Sequence, residues 1–184
     1  KFRLGLFENR FVDEDDIPEK IFSQYHTKTA LKLARQGIVL LKNNNVLPLV
    51  STKNSKNKIL VTGPNANNQS ILGDWHSAQP DENVYTVFEG IKKIGTEMGY
   101  LVDYHNSNEN IKRISENDIS KTIEIANEYD LIVLVVGDNS MRYKWNQKTA
   151  GENTARAELN LAGKQLELAM RLKESGKNII CLLY

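Results

Sequence analysis

The sequence predicts an α/β fold in which a mostly parallel sheet is covered by helices on both faces, as a three-layer α/β/α sandwich. Short apolar runs alternate with segments of helical apolar spacing from residue 58 onward, and such alternation favours a parallel sheet. The run 131–136 is continuously apolar, as is typical of a strand buried on both faces. Glycine turns follow two of the runs, at Gly63 and Gly137.

The first eighteen residues are predicted to form a linker arm, and residues 19–184 to form the domain. The arm contains Phe2, Phe7 and Phe11 beside an acidic run, which is too many aromatic residues for a free tail. We therefore expect them to be covered by the rest of this domain or by another domain. Self-association of the chain is one consequence.

The predicted elements follow from spacing and breakers. In chain order they are a helix at 19–36, a short strand at 38–41, an extended segment at 47–49, a loop at 51–58, a strand at 58–62, a helix at 86–98, a strand at 101–104, a helix at 115–128, a buried strand at 131–136, a helix at 162–174 and a buried strand at 179–183. Ser115, three residues before Asp118, is predicted to cap the helix that follows it.

Composition excludes several classes of function. The chain has 184 residues, 40% of them hydrophobic and 26% charged, with a net charge of +1, so no bulk field recruits nucleic acid or a membrane surface. The apolar runs are too short to span a bilayer. His26, His76 and His105 lack metal-ligand spacing, and we expect no metal. Nucleotide-binding glycine motifs are absent, so no cofactor is predicted.

Two loops carry the candidate functional residues. Glu152 lies on the long loop 137–160, past the carboxyl end of the strand 131–136, where open α/β sheets place their ligand chemistry. Trp75 and Trp145 lie in polar loops rather than in periodic apolar patterns. Sugars stack on aromatic faces, although a tryptophan that covers the core beneath a loop is the alternative. His76, beside Trp75, is the one histidine of interest.

In order, these motifs resemble glycoside hydrolase family 3, specifically the carboxy-terminal α/β-sandwich domain of its β-glucosidases, a flavodoxin-like fold. The matching segments are 4–8, 34–43 with Leu47-Pro48-Leu49, 58–65, Gly73-Asp74-Trp75 with 86–90 and Lys92, and Gly151-Glu152 with Arg156, Leu159, Leu161, Gly163, Gln165 and Leu168. The order as a whole is specific, although no single motif is.

The resemblance implies a role for this chain in a retaining, exo-acting glycosidase that cleaves a terminal β-linked sugar. Glu152 would be the general acid/base and Trp75 a wall of the leaving-group subsite, with Asp74 and Trp145 as further substrate-binding residues. The partner would be an N-terminal TIM-type barrel that supplies the nucleophilic aspartate. The substrate would be a β-linked oligosaccharide or glycoside, and the sugar stays open among glucoside, xyloside and arabinoside.

The family often has Asp-Arg where this chain has Ala155-Arg156. The family's second domain also continues past the strand at 179–183, so we expect this sequence to be a truncated domain that is inactive alone. Family resemblance places the parent enzyme in the periplasm or outside the cell. The rival hypothesis is a non-catalytic flavodoxin-like interaction or scaffold domain. A salt bridge or capping role for Glu152 would favour that rival, and a solvent-reachable carboxylate beside aromatic groups would favour catalysis.

Overall fold

The computed structural model describes residues 1–50 and 57–184. The chain divides into two compact units, residues 1–44 and 45–184. The first unit contains helices α1 (Ile17–Lys20) and α2 (Gln24–Gly37). The second contains strands β1 (Lys58–Thr62), β2 (Leu101–His105), β3 (Leu131–Val136) and β4 (Asn178–Leu183) and helices α3 (Val87–Glu97), α4 (Glu116–Ala126) and α5 (Gln165–Glu174).

The first unit differs from its prediction in two places. The helix predicted at 19–36 is interrupted, because Ile21 is extended and Phe22 has a φ of 55°. It restarts at Gln24, where the Ser23 hydroxyl accepts a hydrogen bond from the His26 N–H at 3.3 Å. The strand predicted at 38–41 has no regular structure, and its side chains are exposed.

The phenylalanines of the predicted arm are exposed. Phe2 and Phe11 are more than four-fifths exposed. Self-association of the chain and the boundary of the arm at residue 18 stay predictions. The loop predicted at 51–58 lies mostly outside the described residues.

Within the described residues, four parallel strands form one sheet in the order β2-β1-β3-β4. This is the order of the first four strands of a flavodoxin-like sheet, and it confirms the predicted fold class. β3 is buried along its whole length because it has a strand on either side and helices on both faces. β4 was predicted to be buried, but it is only partly covered, since within the described residues it pairs with a strand on one side alone.

Helices cover both faces of the sheet, and each face has its own apolar core. On one face, Ile119 of α4 and Leu168 of α5 pack against Leu60 and Leu134. On the other face, Phe88 of α3 packs against Val61 and neighbouring strand residues. The strand residues alternate between the two cores, as the pleat of a strand requires.

The ends of the helices follow local sequence signals. The Ser115 hydroxyl accepts a hydrogen bond from the Asp118 N–H at 3.2 Å, and the Asp118 carboxylate accepts one from the Ser115 N–H at 2.8 Å. This reciprocal pair is a capping box and confirms the predicted cap of α4. Thr86 and Glu89 form a second capping box at the start of α3.

The strand order fixes where the long loops meet. β1 and β3 are neighbours, yet the chain leaves β1 towards β2 on one side and leaves β3 towards β4 on the other. Their carboxyl ends therefore form a topological switch point, where α/β sheets bind ligands. Gly63 closes the turn after β1, since a Cβ there would lie 2.1 Å from the Val135 carbonyl oxygen. The loops 63–86 and 137–164 both begin at this edge.

Candidate active site

The loop after β3 contains a 3-10 helix at Arg142–Gln147 and is otherwise irregular up to residue 164. This agrees with the predicted irregular loop at 137–160. The loop after β1 carries Asp74 and Trp75, and Trp75 has a φ of 47°. Side-chain contacts between the two loops form a cluster around one aspartate.

Asp74 is the centre of this cluster. Its Oδ2 accepts a hydrogen bond from the Glu152 N–H at 2.7 Å, and its Oδ1 accepts one from the Trp75 N–H at 3.0 Å. The Lys148 ammonium donates to Oδ1 at 3.4 Å. The bond from the Glu152 N–H holds the pKa of Asp74 below its usual value, although burial acts in the opposite direction. The carboxylate therefore stays ionised between its donors.

Lys148 is a buried cation, with only 2% of its side chain exposed. Its ammonium donates a hydrogen bond to the Glu152 carbonyl at 3.0 Å and lies 4.6 Å from the centre of the Trp145 ring. Burial of a charge is costly unless it is paired and hydrogen-bonded. Asp74, the Glu152 carbonyl and the Trp145 face supply that compensation.

Arg142 lies between the two tryptophans and the two carboxylates. Its guanidinium carbon lies 4.0 Å from the centre of the Trp75 ring and 5.9 Å from that of Trp145. Its Nη2 pairs with Oε2 of Glu152, and its Nε lies 3.9 Å from Asp74 Oδ1. A planar guanidinium suits both roles, because it stacks on rings and donates in its own plane.

Glu152 is held at its backbone and is open at its side chain. Its N–H is bound by Asp74 and its carbonyl by Lys148. The side chain is 39% exposed and pairs with Arg142. The exposed carboxylate in a cluster with two tryptophans is what the catalytic hypothesis predicts, whereas the ion pair with Arg142 is what the rival hypothesis predicts.

A further ion pair ties the loop after β3 back to the sheet. Arg156 Nη1 donates to both carboxylate oxygens of Asp138, at 2.7 and 2.6 Å. The Thr149 hydroxyl also donates to Asp138, at 2.9 Å. Because Asp138 directly follows the glycine turn after β3, this pair fixes the loop on the carboxyl side of Glu152.

The structure brings together all four site residues that the sequence analysis singled out, namely Asp74, Trp75, Trp145 and Glu152. Trp75 is 75% exposed and Trp145 is 50% exposed. Sequence reasoning missed Arg142 and Lys148 as members of the cluster. The available signal was basic residues interleaved with aromatic ones in 141–149, but their contacts depend on a loop 74 residues earlier in the chain.

His76 lies at the margin of the cluster, with its ring 5.8 Å from that of Tyr143 in an edge-on contact. No group of three or more histidine, cysteine or acidic side chains in residues 1–50 and 57–184 could hold a metal ion. Over the same residues, no helix is both long and apolar enough to cross a bilayer.

Comparison with known proteins places these features in a family. The profile described as Glycosyl hydrolase family 3 C-terminal domain matches residues 38–184. The whole chain is 32% identical to a β-xylosidase of Formosa agariphila and covers 25% of that protein. It is 27% identical to the periplasmic β-glucosidase of Salmonella typhimurium and covers 26% of it. The chain thus spans about a quarter of the length of these relatives.

Solved structures agree on the fold. A β-glucosidase from intestinal bacteria, described as involved in saponin metabolism, superposes with a TM-score of 0.83 at 30% identity. All of this chain and 28% of that one are covered. The β-glucosidase of Listeria innocua in complex with glucose superposes with a TM-score of 0.78 at 25% identity, covering all of this chain and 23% of that one.

The profile match covers most of the chain, and the fold and the order of motifs agree with it. The chain belongs to the glycosyl hydrolase family 3 C-terminal domain family.

Proposed function

We propose that this chain is the second domain of a retaining, exo-acting β-glucosidase-like or β-xylosidase-like hydrolase. It supplies the acid/base loop and part of the leaving-group subsite to a catalytic barrel outside this sequence. The observation that carries the proposal is the convergence of Asp74, Trp75, Trp145 and Glu152 at the switch point of the sheet. The stability of the sheet does not explain why two separate loops bring two tryptophans and an exposed carboxylate into one cluster.

Glu152 acts as the general acid/base in this proposal. A retaining glycosidase needs two carboxyl groups about 5–5.5 Å apart, one as nucleophile and one as acid/base. An aspartate of the barrel attacks the anomeric carbon while Glu152 protonates the leaving oxygen. The Glu152 carboxylate then removes a proton from the water that releases the sugar.

Trp75 forms a wall of the leaving-group subsite. Trp75 is 75% exposed, so part of its ring is open to a sugar, whose C–H groups stack on aromatic faces. Arg142 covers one face of the ring and also pairs with Glu152. We propose that the leaving group displaces Arg142 from Glu152 when it binds, so that the carboxyl group turns towards the glycosidic oxygen.

The relatives support a glycoside as substrate without distinguishing between two sugars. The two relatives described above are a β-xylosidase and a β-glucosidase, and one structural neighbour was solved in complex with glucose. We therefore propose a terminal β-linked glucosyl or xylosyl residue as the group that is cleaved.

The test compares how much Glu152→Ala slows hydrolysis of substrates with good and with poor leaving groups. It uses the full-length enzyme that contains this chain. General acid catalysis contributes about 10²–10⁴-fold, so hydrolysis of a natural disaccharide should slow by that order at the glycosylation step. A dinitrophenyl glycoside of the same sugar needs little protonation and should slow far less in that step. Added azide should restore turnover of the dinitrophenyl glycoside by replacing the water whose activation is lost.

The matched control is Glu158→Ala, which removes an exposed carboxylate six residues further along the same loop. It should leave both substrates unaffected. Equal losses on both substrates for Glu152→Ala would contradict the proposed role.

The ion pair between Arg142 and Glu152 favours a second candidate, a non-catalytic scaffold domain in which this pair fastens the loop. Under that alternative, Glu152→Gln lowers the midpoint of thermal unfolding and leaves hydrolysis by the full-length enzyme unchanged. Under the proposed function, the same variant loses activity.

A further inference from the structure

We propose that Asp74 and Lys148 are positioning residues that fix Glu152 for proton transfer, so that Asp74 acts through Glu152 rather than by binding sugar. This inference rests on the proposed acid/base role of Glu152. The Asp74–Lys148 pair holds both backbone groups of one residue: Asp74 binds the Glu152 N–H and Lys148 binds the Glu152 carbonyl.

The oxygens of Asp74 are already engaged within the protein. Oδ2 is used by the Glu152 N–H at 2.7 Å, and Oδ1 by the Trp75 N–H at 3.0 Å and by Lys148 at 3.4 Å. Gly151 allows this approach, because a Cβ at that position would lie 2.4 Å from Asp74 Oδ2. A carboxylate used in this way has little capacity left to accept hydrogen bonds from a sugar.

Lys148 connects the two loops from inside the protein. Its contacts are Asp74 on the loop after β1, and the Glu152 carbonyl and Trp145 ring on the loop after β3. With 2% of its side chain exposed, it is not placed to meet substrate. Its charge is therefore used to hold the loops together.

The backbone of Glu152 is therefore held at both its N–H and its carbonyl, while its side chain is free to change its orientation. The Glu152 side chain is 39% exposed, and its partner Arg142 is 24% exposed and stacks on the Trp75 ring. A fixed backbone limits the positions that the carboxyl group reaches when it leaves Arg142. Catalytic geometry is sensitive at this scale, since a misplacement of about 1 Å can cost about 10²-fold in rate.

The experiment replaces both charges at once in the full-length enzyme, as Asp74→Asn/Lys148→Met, so that no lone buried charge is left. We expect kcat on a natural disaccharide to fall by about 10²-fold, as expected for a displaced acid, with little change in KM. The dinitrophenyl glycoside should lose much less. In a Glu152→Ala background the double replacement should cause no further loss, because residues that act as one unit are not additive.

Lys144→Met is the matched control, since Lys144 lies on the 3-10 helix just before Lys148 but pairs with Glu109 at 3.4 Å. It should leave both substrates unchanged. The thermal unfolding midpoint is measured for every variant. If the double variant fails to fold, Lys148→Met alone is tested, because it leaves Asp74 with its two backbone donors. It should also lose more activity on the disaccharide than on the dinitrophenyl glycoside.

The outcomes separate this inference from the proposed function. Equal losses on both substrates, or a loss that persists in the Glu152→Ala background, would mean that the pair is only structural and would overturn the inference. An absence of leaving-group dependence in Glu152→Ala itself would overturn the proposed function, and the inference with it.

Discussion

Hydrogen bonds from two backbone N–H groups to the Asp74 carboxylate hold the two loops of this site in place. The carboxylate accepts the N–H of Glu152 and the N–H of Trp75, one residue from each loop. The Glu152 bond requires the chain to pass very close to Asp74 at Gly151, which has a φ of 88°. At the residue scale, the position of the proposed acid is therefore set by a glycine and an aspartate rather than by contacts of the glutamate side chain.

We expect Gly151→Ala to destabilise the chain more than Gly176→Ala does. Both glycines have a positive φ, which costs a non-glycine residue about 1–2 kcal/mol. A Cβ at Gly176 meets no heavy atom of the described residues within 4 Å, whereas one at Gly151 meets Asp74 Oδ2 at 2.4 Å. Relief of that clash breaks the bond from the Glu152 N–H to Asp74, so Gly151→Ala loses a charge-assisted hydrogen bond that Gly176→Ala keeps.

Urea unfolding of the two variants beside the parent chain measures this difference. Equal unfolding free energies for Gly151→Ala and Gly176→Ala would show that the loop moves aside freely and that Asp74 does not hold it.

At the scale of the element, α4 owes the position of its first residue to the capping box of Ser115 and Asp118. Hydrogen bonds from the Ser115 hydroxyl and backbone N–H hold the pKa of Asp118 below its usual value. The folded state thus binds a proton to this group less readily than the unfolded chain does. Its stabilising contribution is complete above the unfolded pKa of about 3.9 and is lost as the pH falls through the lower folded pKa.

Asp118→Asn should therefore lower the unfolding free energy near neutral pH, and the difference from the parent chain should narrow below about pH 4. A carboxylate in the first turn of a helix contributes about 0.3–1 kcal/mol at low ionic strength, and less in salt. Glu124→Gln is the control, because Glu124 is an exposed carboxylate near the other end of α4. The unfolding free energies of both variants and of the parent chain are measured by chemical unfolding across pH 2–7. A difference between Asp118→Asn and the parent chain that stays constant over that range would contradict the stabilising role of the Asp118 carboxylate.

The elements show what could be predicted from the sequence. β1 and β3 begin and end where predicted, because continuous β-branched apolar runs mark strands buried between helices. The break between α1 and α2 could not be predicted, since the apolar spacing continues across Ile21 and only the backbone of Phe22 interrupts it. β4 was predicted to be buried because an apolar run does not reveal how many neighbouring strands cover it, and among the described residues β4 pairs with β3 alone.

At the scale of the whole molecule, the site could be predicted only in part. Glu152 stood out because it follows the carboxyl end of a strand on a long loop, and Trp75 because it lies in a polar loop. The family resemblance pointed to both. Lys148 did not stand out, because a lysine in a polar loop is ordinarily exposed. Its burial arises from strand order, which brings together two loops that are separated by 74 residues.

We expect the 184-residue chain alone to have no activity on nitrophenyl β-glucosides or β-xylosides. A retaining mechanism needs a nucleophile beside the acid, and the carboxylate that contacts the Glu152 backbone, that of Asp74, is engaged by backbone and lysine donors. Release of nitrophenol measures activity, with the full-length enzyme as the positive control. Turnover by the chain that disappears in Glu152→Gln would contradict this expectation.

The pairing of β1 with β3 also has a consequence for the order of events during synthesis. The Lys58 N–H donates to the Asp130 carboxylate, at the start of this pairing and 72 residues away along the chain. β1 can pair with β2 earlier, but its other edge has no partner until β3 leaves the ribosome. At about 5–20 residues per second, that interval lasts roughly 4–14 s. Nascent chains are therefore exposed to wrong edge pairing during this interval, and the cluster around Asp74 forms only after it.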